Sequence, residues 1–215
     1  MRLLITAGPT HEPIDAVRYL GNRSSGRVGI ALADAAAAAG HEVTLLLGPT
    51  HLEAGAGVTT RRYATTAELA ALLDETFAGC DALVMAAAVA DYTPVVGEGA
   101  TEAKLSRGEG EMTLTLKATP DLVAAVAGGR RADQRVVAFA LEPAEEMIER
   151  GRAKLERKGV DALVANALGT PEAETIDAAW LVPSGEGGVA VERSGAMDKG
   201  AFGGWLLERV ERLRG

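Results

Sequence analysis

One polar stretch stands between the first apolar run of the chain and its first Ala-rich run. It reads Asp15-Ala16-Val17-Arg18-Tyr19-Leu20-Gly21-Asn22-Arg23-Ser24-Ser25-Gly26-Arg27-Val28-Gly29. The apolar run at residues 2–6 predicts a buried strand, and the Ala-rich run from residue 30 to Gly40 predicts a helix. In an open α/β sheet, such a junction lies at the carboxyl end of the strand, where ligands bind. The junction is longer than ordinary connections, which is typical of functional loops.

The last part of this stretch has the composition of an anion site. Ser24 and Ser25 are predicted to cap the helix, while Gly26 and Gly29 allow close approach to the backbone. The free N–H groups of a helix start attract an anion, and three arginines in the stretch add positive charge. On spacing alone, a Ser-Ser-Gly cap that binds nothing is an equally good interpretation. The stretch is neither a GxGxxG fingerprint nor a P-loop.

Composition limits the classes of function. The length of 215 residues predicts a single domain over residues 1–215. The net charge of −8 argues against nucleic-acid binding. The sequence shows no signal peptide and no apolar run long enough for a membrane span, so we expect no membrane partner. Cys80 is the only cysteine, which fits a cytoplasmic protein and favours a core thiol over a catalytic one. The three histidines lack ligand spacing, so no metal site made of side chains is predicted.

The remaining segments alternate between strand and helix patterns. Strands are predicted at residues 42–47, 58–63, 82–86, 112–116, 135–140 and 161–166, and helices at 66–77, 119–126, 143–158 and 205–213. A hairpin is predicted for residues 178–182 and 188–192. Thr66 and Thr119 are predicted helix caps, with Pro120 at the first helical position. This order predicts an α/β fold, a Rossmann-like mostly parallel sheet with helices on both faces and a C-terminal antiparallel addition.

Five further residues are site candidates, each with a bland alternative. Asp91 follows a strand and a run of small residues, so it either faces a ligand or bonds the backbone of its own loop. Lys104 lies in a charged, Gly-rich segment at residues 95–110 and is either solvated or the cation of a mobile lid. Phe139 belongs to the core or stacks on a flat ligand. Lys154 and Lys158 share one helical face, which is either solvated or a phosphate clamp.

A set of motifs in one order covers nearly the whole chain. They are Thr6-Ala7-Gly8-Pro9-Thr10, Glu12-Pro13-Ile14-Asp15, Val17-Arg18-Tyr19, Asn22-Arg23-Ser24-Ser25-Gly26 with Gly29, Ala87-Ala88-Val89-Ala90-Asp91-Tyr92, Lys104-Leu105, Thr119-Pro120-Asp121, Phe139-Ala140, the Lys154/Lys158 pair with Gly159, and Val164-Ala165-Asn166. Through them the chain resembles phosphopantothenoylcysteine synthetase, the synthetase half of the bacterial coenzyme A biosynthesis bifunctional flavoprotein. The first motifs are the most specific ones.

The resemblance implies an amide-forming reaction driven by a nucleoside triphosphate. CTP with Mg²⁺ activates 4′-phosphopantothenate as an acyl-cytidylate, and the amine of L-cysteine then displaces CMP. The nucleotide phosphates supply most of the Mg²⁺ ligands. The resemblance also implies a homodimer. A flavin-dependent decarboxylase domain usually precedes the synthetase and is absent here, so no FMN is expected, and a separate decarboxylase is a possible partner. The start at Met1 favours a stand-alone synthetase.

The resemblance assigns roles to individual residues. Asn22 and Lys104 are the implied catalytic residues, the first orienting the substrate carboxyl group and the second contacting a nucleotide phosphate from a mobile loop. The implied substrate-binding residues are Arg18, Asn22 and Ala88. Arg18 binds phosphopantothenate either within its own protomer or across the dimer interface. The implied nucleotide-binding residues are Ser24, Ser25, Gly26, Ala87, Asp91, Lys104, Thr119, Pro120, Phe139, Lys154 and Lys158.

Departures from the family pattern and two rival hypotheses qualify this interpretation. Ser106 and Arg107 replace frequent lysines, Leu141 and Pro143 replace alanine and threonine, and Ala167 replaces a frequent aspartate. These changes leave the preference between CTP and ATP open. A Rossmann-type NAD(P)-dependent oxidoreductase predicts a GxGxxG turn, where this chain has Ala-Gly-Pro-Thr instead. A non-catalytic nucleotide-binding homologue predicts loss of the two implied catalytic residues, and both are present.

Overall fold

A computed structural model describes residues 1–97, 99, 102–106, 110–170 and 173–214. The strands are β1 (Arg2–Ala7), β2 (His11–Pro13), β3 (Tyr19–Gly21), β4 (Glu42–Leu47), β5 (Val58–Arg62), β6 (Ala82–Met85), β7 (Tyr92–Pro94), β8 (Leu116–Ala118), β9 (Arg135–Glu142), β10 (Ala162–Ala167), β11 (Thr175–Ile176), β12 (Ala178–Ser184), β13 (Gly188–Arg193) and β14 (Met197–Asp198). The helices are α1 (Arg27–Ala38), α2 (Thr66–Thr76), α3 (Leu122–Gly129), α4 (Met147–Lys158) and α5 (Lys199–Arg212), with 3₁₀ turns at Phe77–Gly79 and Gly185–Gly187.

Eight strands form one sheet in the order β13-β12-β10-β9-β6-β1-β4-β5. The six strands from β10 to β5 run parallel, and β12 and β13 add an antiparallel edge. The central strand β1 pairs in register with both neighbours, so that Ile5 lies beside Leu45 on one side and Val84 on the other. Parallel strands require crossovers, and helices supply them except between β4 and β5, which a loop at residues 48–57 connects.

Alternating side chains of β1 divide the core into two layers. Leu3 and Ile5 pack with α1 and α5, whose buried residues include Leu32 and Phe202. Leu4 faces the other way, into the layer that α2, α3 and α4 cover. The sheet is therefore buried on both faces, which explains why its strands read as continuous apolar runs. This arrangement confirms the predicted α/β fold with helices on both faces and a C-terminal antiparallel addition.

The start of α1 differs from the prediction. The helix begins at Arg27, so neither Ser24 nor Ser25 occupies the cap position, although Ser25 Oγ accepts a long hydrogen bond of 3.5 Å from the Arg27 N–H. Gly26 occupies the cap position with φ +76°, in the left-handed region, and a Cβ there would lie 3.3 Å from the Gly8 nitrogen. A Cβ on Gly29 would lie 2.5 Å from the Cβ of Ala7. Both glycines therefore let α1 pack against β1 and the turn after it.

Two predicted caps are each displaced by one or two residues. Thr65, not Thr66, caps α2 by accepting a hydrogen bond from the Glu68 N–H at 3.2 Å. Asp121, not Thr119, caps α3 by accepting from the Ala124 N–H at 3.1 Å. An aspartate that caps also interacts favourably with the helix dipole, which explains why it wins over the threonine.

Two hairpins stand outside the main sheet. Strands β2 and β3 pair within the long junction that follows β1, and β7 pairs with β8. The predicted strand at residues 112–116 was wrong, because residues 112–115 are exposed without a strand and pairing runs from Leu116 to Ala118. A two-stranded hairpin has no second layer on which to bury an alternating face. None of the described helices is long and apolar enough to cross a membrane.

Candidate active site

A cleft of about 770 Å³ lies across the carboxyl ends of the parallel strands. Its walls come from the start of α1, the loop after β6, the start of α3, and the ends of β9, α4 and β10. The predicted site residues that line it are Asn22, Ser24, Ser25, Gly26, Ala87, Ala88, Asp91, Thr119, Pro120, Phe139, Lys154 and Lys158. Residues from five separate segments of the sequence therefore meet where the geometry of parallel sheets places ligands.

The loop of small residues after β6 forms the floor of the cleft. Ala88 pairs with the turn after β1, because its N–H donates to the Gly8 carbonyl at 2.9 Å and its carbonyl accepts from the Thr10 N–H at 3.2 Å. The side chain of Asn22 crosses to this loop and donates to the carbonyls of Ala88 and Val89 at 3.2 and 3.1 Å. The Asn22 carboxamide is thus held in one orientation at the cleft.

The cleft is basic although the chain is acidic. Among the described lining residues the cations are Arg23, Arg27, Lys154, Arg157, Lys158 and Lys199, whereas the anions are Asp91 and Asp121. The whole chain has a net charge of −8. A local excess of cations in a concave site favours a polyanionic ligand. Arg27 and Lys199 belong to helices on one face of the sheet, and Lys154 and Lys158 to a helix on the other.

Carboxylates hold the two lysines of α4 at the cleft. The Lys158 ammonium contacts both oxygens of Asp121 at 2.8 and 2.9 Å, and Lys154 pairs with the buried Glu142. Burial by itself raises the pKa of Asp121, but the hydrogen bonds from Lys158 and the Ala124 N–H, together with the nearby positive charges, lower that pKa overall. Both lysines are half-buried and line the cleft, where a phosphate clamp would need them, and the clamp itself stays a prediction.

The sequence analysis missed Lys199, the first residue of α5. This lysine is 6% exposed, lines the cleft, and donates from Nζ to the Thr170 carbonyl at 2.9 Å. Burial lowers the pKa of its ammonium, and the charge of Arg27 lowers it further. Asp198, which caps α5, was the available local signal for the start of that helix. Nothing local indicated that this helix start reaches the cleft.

Phe139 and Asp91 differ in their surroundings. Phe139 is half-buried, packs on the core beneath the sheet edge and also lines the cleft. The ring therefore packs on the core, as one alternative predicted, and its stacking on a flat ligand stays a prediction. Asp91 is exposed at the cleft, and its backbone carbonyl accepts from the Thr119 N–H at 2.9 Å. The Thr119 hydroxyl donates to the Ala90 carbonyl at 2.5 Å and ties the two loops together.

Arg18 and Lys104 lie together outside the cleft lining. The Arg18 guanidinium contacts Asp15 at 2.6 Å and the Leu105 carbonyl at 3.4 Å, and Lys104 is exposed beside that contact. Asp15 also accepts from the N–H of Leu105 at 3.1 Å. Burial favours a higher pKa for Asp15, but hydrogen bonds from Val17, Arg18 and Leu105 lower it overall. Of the predicted mobile segment at 95–110, residues 98, 100, 101 and 107–109 fall outside the described part, so Arg107 does too.

Within the described part of the chain, no three His, Cys, Asp or Glu side chains lie close enough together to hold a metal ion. Cys80 is buried, and its thiol donates to the Thr76 carbonyl at 3.3 Å. Burial raises the pKa of this thiol, which disfavours the reactive thiolate. Cys80 therefore belongs to the core, as predicted.

Comparison with protein families matches nearly the whole chain to one family model. The family described as the DNA/pantothenate metabolism flavoprotein C-terminal domain matches residues 1–212. The match covers β1 through the last residue of α5, and so includes every segment that lines the cleft.

Curated relatives include two-activity proteins of about twice this length. A protein named cysteine/cysteine sulfinic acid decarboxylase, from an unknown prokaryotic organism, is 45% identical over 80% of this chain and 47% of its own length. The coenzyme A biosynthesis bifunctional protein CoaBC of Mycobacterium bovis is 42% identical over 85% of this chain and 46% of its own. The chain therefore spans about half the length of the relatives it matches.

Solved structures share the fold. The C-terminal domain of a CoaBC protein superimposes with a TM-score of 0.78 at 27% identity, covering 99% of this chain and 94% of that one. A Streptococcus pneumoniae protein described as DNA/pantothenate metabolism flavoprotein superimposes with a TM-score of 0.81 at 24% sequence identity, and the match covers 99% of both chains. A Cab2 variant in complex with phosphopantothenate-cysteine superimposes with a TM-score of 0.77 at 15% sequence identity, and the match covers 99% of this chain and 86% of the Cab2 chain. The last two, below 25% identity, establish the fold alone.

Proposed function

Because the chain belongs to the family of DNA/pantothenate metabolism flavoprotein C-terminal domains, we propose that it is a phosphopantothenate–cysteine ligase of coenzyme A biosynthesis. In this proposal CTP activates 4′-phosphopantothenate, and L-cysteine then forms the amide. The CoaBC relatives support the pathway by their names, and the Cab2 variant is a protein of the same fold that binds phosphopantothenate-cysteine.

One observation carries the proposal. Twelve of the residues that the family resemblance names, drawn from separate segments, line a single basic cleft in an acidic chain. A ligase of this kind must bring two polyanions together, and their mutual repulsion is the main obstacle to forming the complex. Fixed cations on both sides of the cleft oppose that repulsion, and fixed geometry replaces a bimolecular encounter.

The proposed chemistry has two displacements. A carboxylate oxygen of phosphopantothenate attacks the α-phosphorus of CTP, a new O–P bond forms, and the bond to pyrophosphate breaks. The cysteine amine then attacks the acyl carbon, the C–N bond forms, the C–O bond to CMP breaks, and the nitrogen releases a proton. The anhydride is needed because a free carboxylate is too poor an electrophile for an amine.

The residues present suit distinct parts of this reaction. The Asn22 carboxamide, held on the Ala88 and Val89 carbonyls, orients the substrate carboxyl group without competing as a nucleophile. Lys154 and Lys158 bind the nucleotide from α4, and Phe139 packs near its base. Mg²⁺, when bound, would neutralise phosphate charge. The nucleotide phosphates would supply most of its ligands, because Asp121, one of the two acidic residues of the cleft, is already paired with Lys158.

We also propose that the functional form is a homodimer. Nine exposed large apolar residues belong to the β2–β3 hairpin region, the β7–β8 hairpin and the segments beside them: Val17, Tyr19, Leu20, Tyr92, Val95, Leu105, Met112, Leu114 and Leu116. A concentration of exposed apolar residues on a few segments is typical of a protein interface. Arg18 and Lys104 lie on the same surface, so a second copy would bring them into the assembly. The single domain over 1–215, the cytoplasmic location, the separate decarboxylase partner and the absence of FMN stay predictions.

The test is pyrophosphate release by the purified chain with 4′-phosphopantothenate and Mg²⁺, using CTP and ATP in parallel, with and without L-cysteine. We expect release that requires phosphopantothenate, followed by CMP and the amide once cysteine is added. Size-exclusion chromatography with light scattering reports the mass of the assembly. If no triphosphate is consumed while CTP still raises the melting temperature, the non-catalytic binding alternative replaces the ligase. If only NAD(P)H raises the melting temperature, the oxidoreductase alternative replaces the ligase.

A further inference from the structure

Two buried threonines fasten the floor of the cleft to β1 and the turn that follows it. The Thr6 hydroxyl accepts from the Ala87 N–H at 3.1 Å, and the Thr10 hydroxyl accepts from the Ala90 N–H at 2.9 Å. Both threonines are 0% exposed. The carbonyls that hold Asn22 lie between these two amides in the sequence. The backbone on which Asn22 rests is therefore fixed at both ends by hydroxyl groups.

Behind Thr10, a hydroxyl chain leads to the start of α2. Thr66 Oγ1 lies 3.2 Å from Thr10 Oγ1 and 2.7 Å from the carboxylate Oε1 of Glu12. A hydroxyl has one proton, and the shorter contact with the carboxylate takes the proton of Thr66. Thr10 must then donate its own proton to Thr66, which leaves the Thr10 oxygen to accept from Ala90. The bonds run in one direction, from Ala90 to Glu12.

Glu12 anchors the far end of this chain. Its Oε1 also accepts the Thr66 N–H at 2.8 Å, in the first turn of α2, where a carboxylate interacts favourably with the helix dipole. Thr10, Glu12 and Thr66 are at most 4% exposed, and all three lie outside the cleft lining. They are too deep to touch a substrate, so any effect on catalysis must pass through the loop that they hold.

We propose that Glu12, Thr66 and Thr10 form a positioning relay that sets the loop at residues 87–90 and, through it, the orientation of the Asn22 carboxamide. The proposal rests on the ligase function only for its kinetic readout. Its structural readout is the hydrogen bond at Ala90 and the state of the Asn22 side chain, and both are measurable without turnover.

The kinetic test compares Thr10→Val with Thr10→Ser. Valine keeps the shape of threonine but removes the hydroxyl, so kcat should fall by roughly ten- to a hundredfold through misplacement of Asn22. The affinity for CTP should change by less than about twofold, since no relay residue lines the cleft. Serine keeps the hydroxyl and should keep kcat. Thr76→Val, which removes a hydroxyl bonded to Leu72 at the other end of α2, is the matched control without a kinetic effect.

A double-mutant cycle separates positioning from general destabilisation. In an Asn22→Ala background, Thr10→Val should change kcat by a factor near one, because the residue on which it acts is gone. The same factor in both backgrounds would overturn the proposal, as would an unchanged kcat in the single variant. If Thr10→Val does not fold, Thr66→Val and Thr66→Ser break and restore the relay at its middle and take the same tests.

Nuclear magnetic resonance supplies the readout that does not need activity. In wild-type protein the Ala90 amide should exchange slowly with solvent, and the Asn22 carboxamide should give one sharp pair of proton signals. Thr10→Val should accelerate exchange at Ala90 and shift or broaden the Asn22 signals, whereas Thr76→Val should change neither. Unchanged Asn22 signals in Thr10→Val would refute the relay, whatever the reaction of the enzyme is.

Discussion

The cleft and the surface around Arg18 and Lys104 are built in opposite ways. In the cleft, the two lysines of α4 are half-buried, and each is held by a carboxylate, as Lys158 is by Asp121. On the surface, Lys104 is exposed, and its segment touches the rest of the chain mainly through hydrogen bonds of its neighbours to Asp15 and Arg18. The first region fixes its lysines by ion pairs, whereas the second exposes Lys104 to solvent.

This contrast separates two tasks of the proposed ligase. Pre-positioned charges bind a nucleotide without paying to order long side chains. A lysine on an exposed segment contributes only after that segment, or a second copy of the chain, brings it to the substrate. Binding should therefore depend on the cleft alone, whereas turnover should depend on both regions. Substitutions at four positions test this division.

The largest effect is expected at Asn22, which belongs to the cleft but acts on the reacting carboxyl group. Asn22→Ala should lower kcat/KM for phosphopantothenate by about 10²–10³-fold, the cost typical of removing one oriented polar group from a reaction centre. Asn22→Asp should be as harmful, because a carboxylate repels the Ala88 and Val89 carbonyls and the anionic substrate. Steady-state pyrophosphate release measures both. A loss below about threefold would remove Asn22 from the reaction.

Lys104→Ala should affect turnover without affecting binding. We expect kcat to fall by about ten- to a hundredfold, because a positive charge near the transferred group is lost. The CTP dissociation constant of the free protein, measured by calorimetry, should stay within about twofold, since Lys104 does not line the cleft. A weaker CTP affinity without phosphopantothenate would contradict the division between the two regions.

Lys158→Met should show the reverse pattern. Loss of the ammonium should raise the CTP dissociation constant about tenfold, the cost of one hydrogen bond to a charged group. Arg152→Met is the matched control, because Arg152 is an exposed cation on the same helix that does not line the cleft. Equal effects of both substitutions would mean that the general field of α4, and not a contact in the cleft, attracts the nucleotide.

The smallest effect is expected within the second region, at Asp15. Its pKa is lowered in the folded protein from an ordinary 3.8, so the carboxylate stabilises the fold above that pH and loses this contribution as the pH falls through the lowered value. Asp15→Asn should lower the melting temperature by roughly 2–4 °C at pH 7 and by progressively less below pH 3.8. Asp74→Asn, at an exposed position on α2, is the control. A difference that does not depend on pH would mean that shape, and not charge, holds the turn.

The sequence predicts the framework well because its strands are buried on both faces. Runs such as that of β1 have one interpretation, and the rule that ligands lie at the carboxyl edge then locates the cleft. The residue that caps α2 was predicted wrongly because Thr65 and Thr66 are equivalent cap candidates in the sequence. Only the contact between Thr66 and the buried Glu12 distinguishes them. Lys199 was missed because long-range packing of α5 on α1 brings it to the cleft.

The structure of the cleft floor has a consequence for inhibitors that bind there and for resistance to them. Its residues from Ala86 to Ala90 are small, and the backbone of Ala88 is hydrogen-bonded on both sides to the turn after β1. An inhibitor that recognises the main chain of this loop meets atoms that every substitution leaves in place. A larger side chain there would exclude the drug only by intruding on the substrates as well. Resistance at this floor would therefore carry a fitness cost, whereas resistance on the exposed Lys104 segment would not share that constraint.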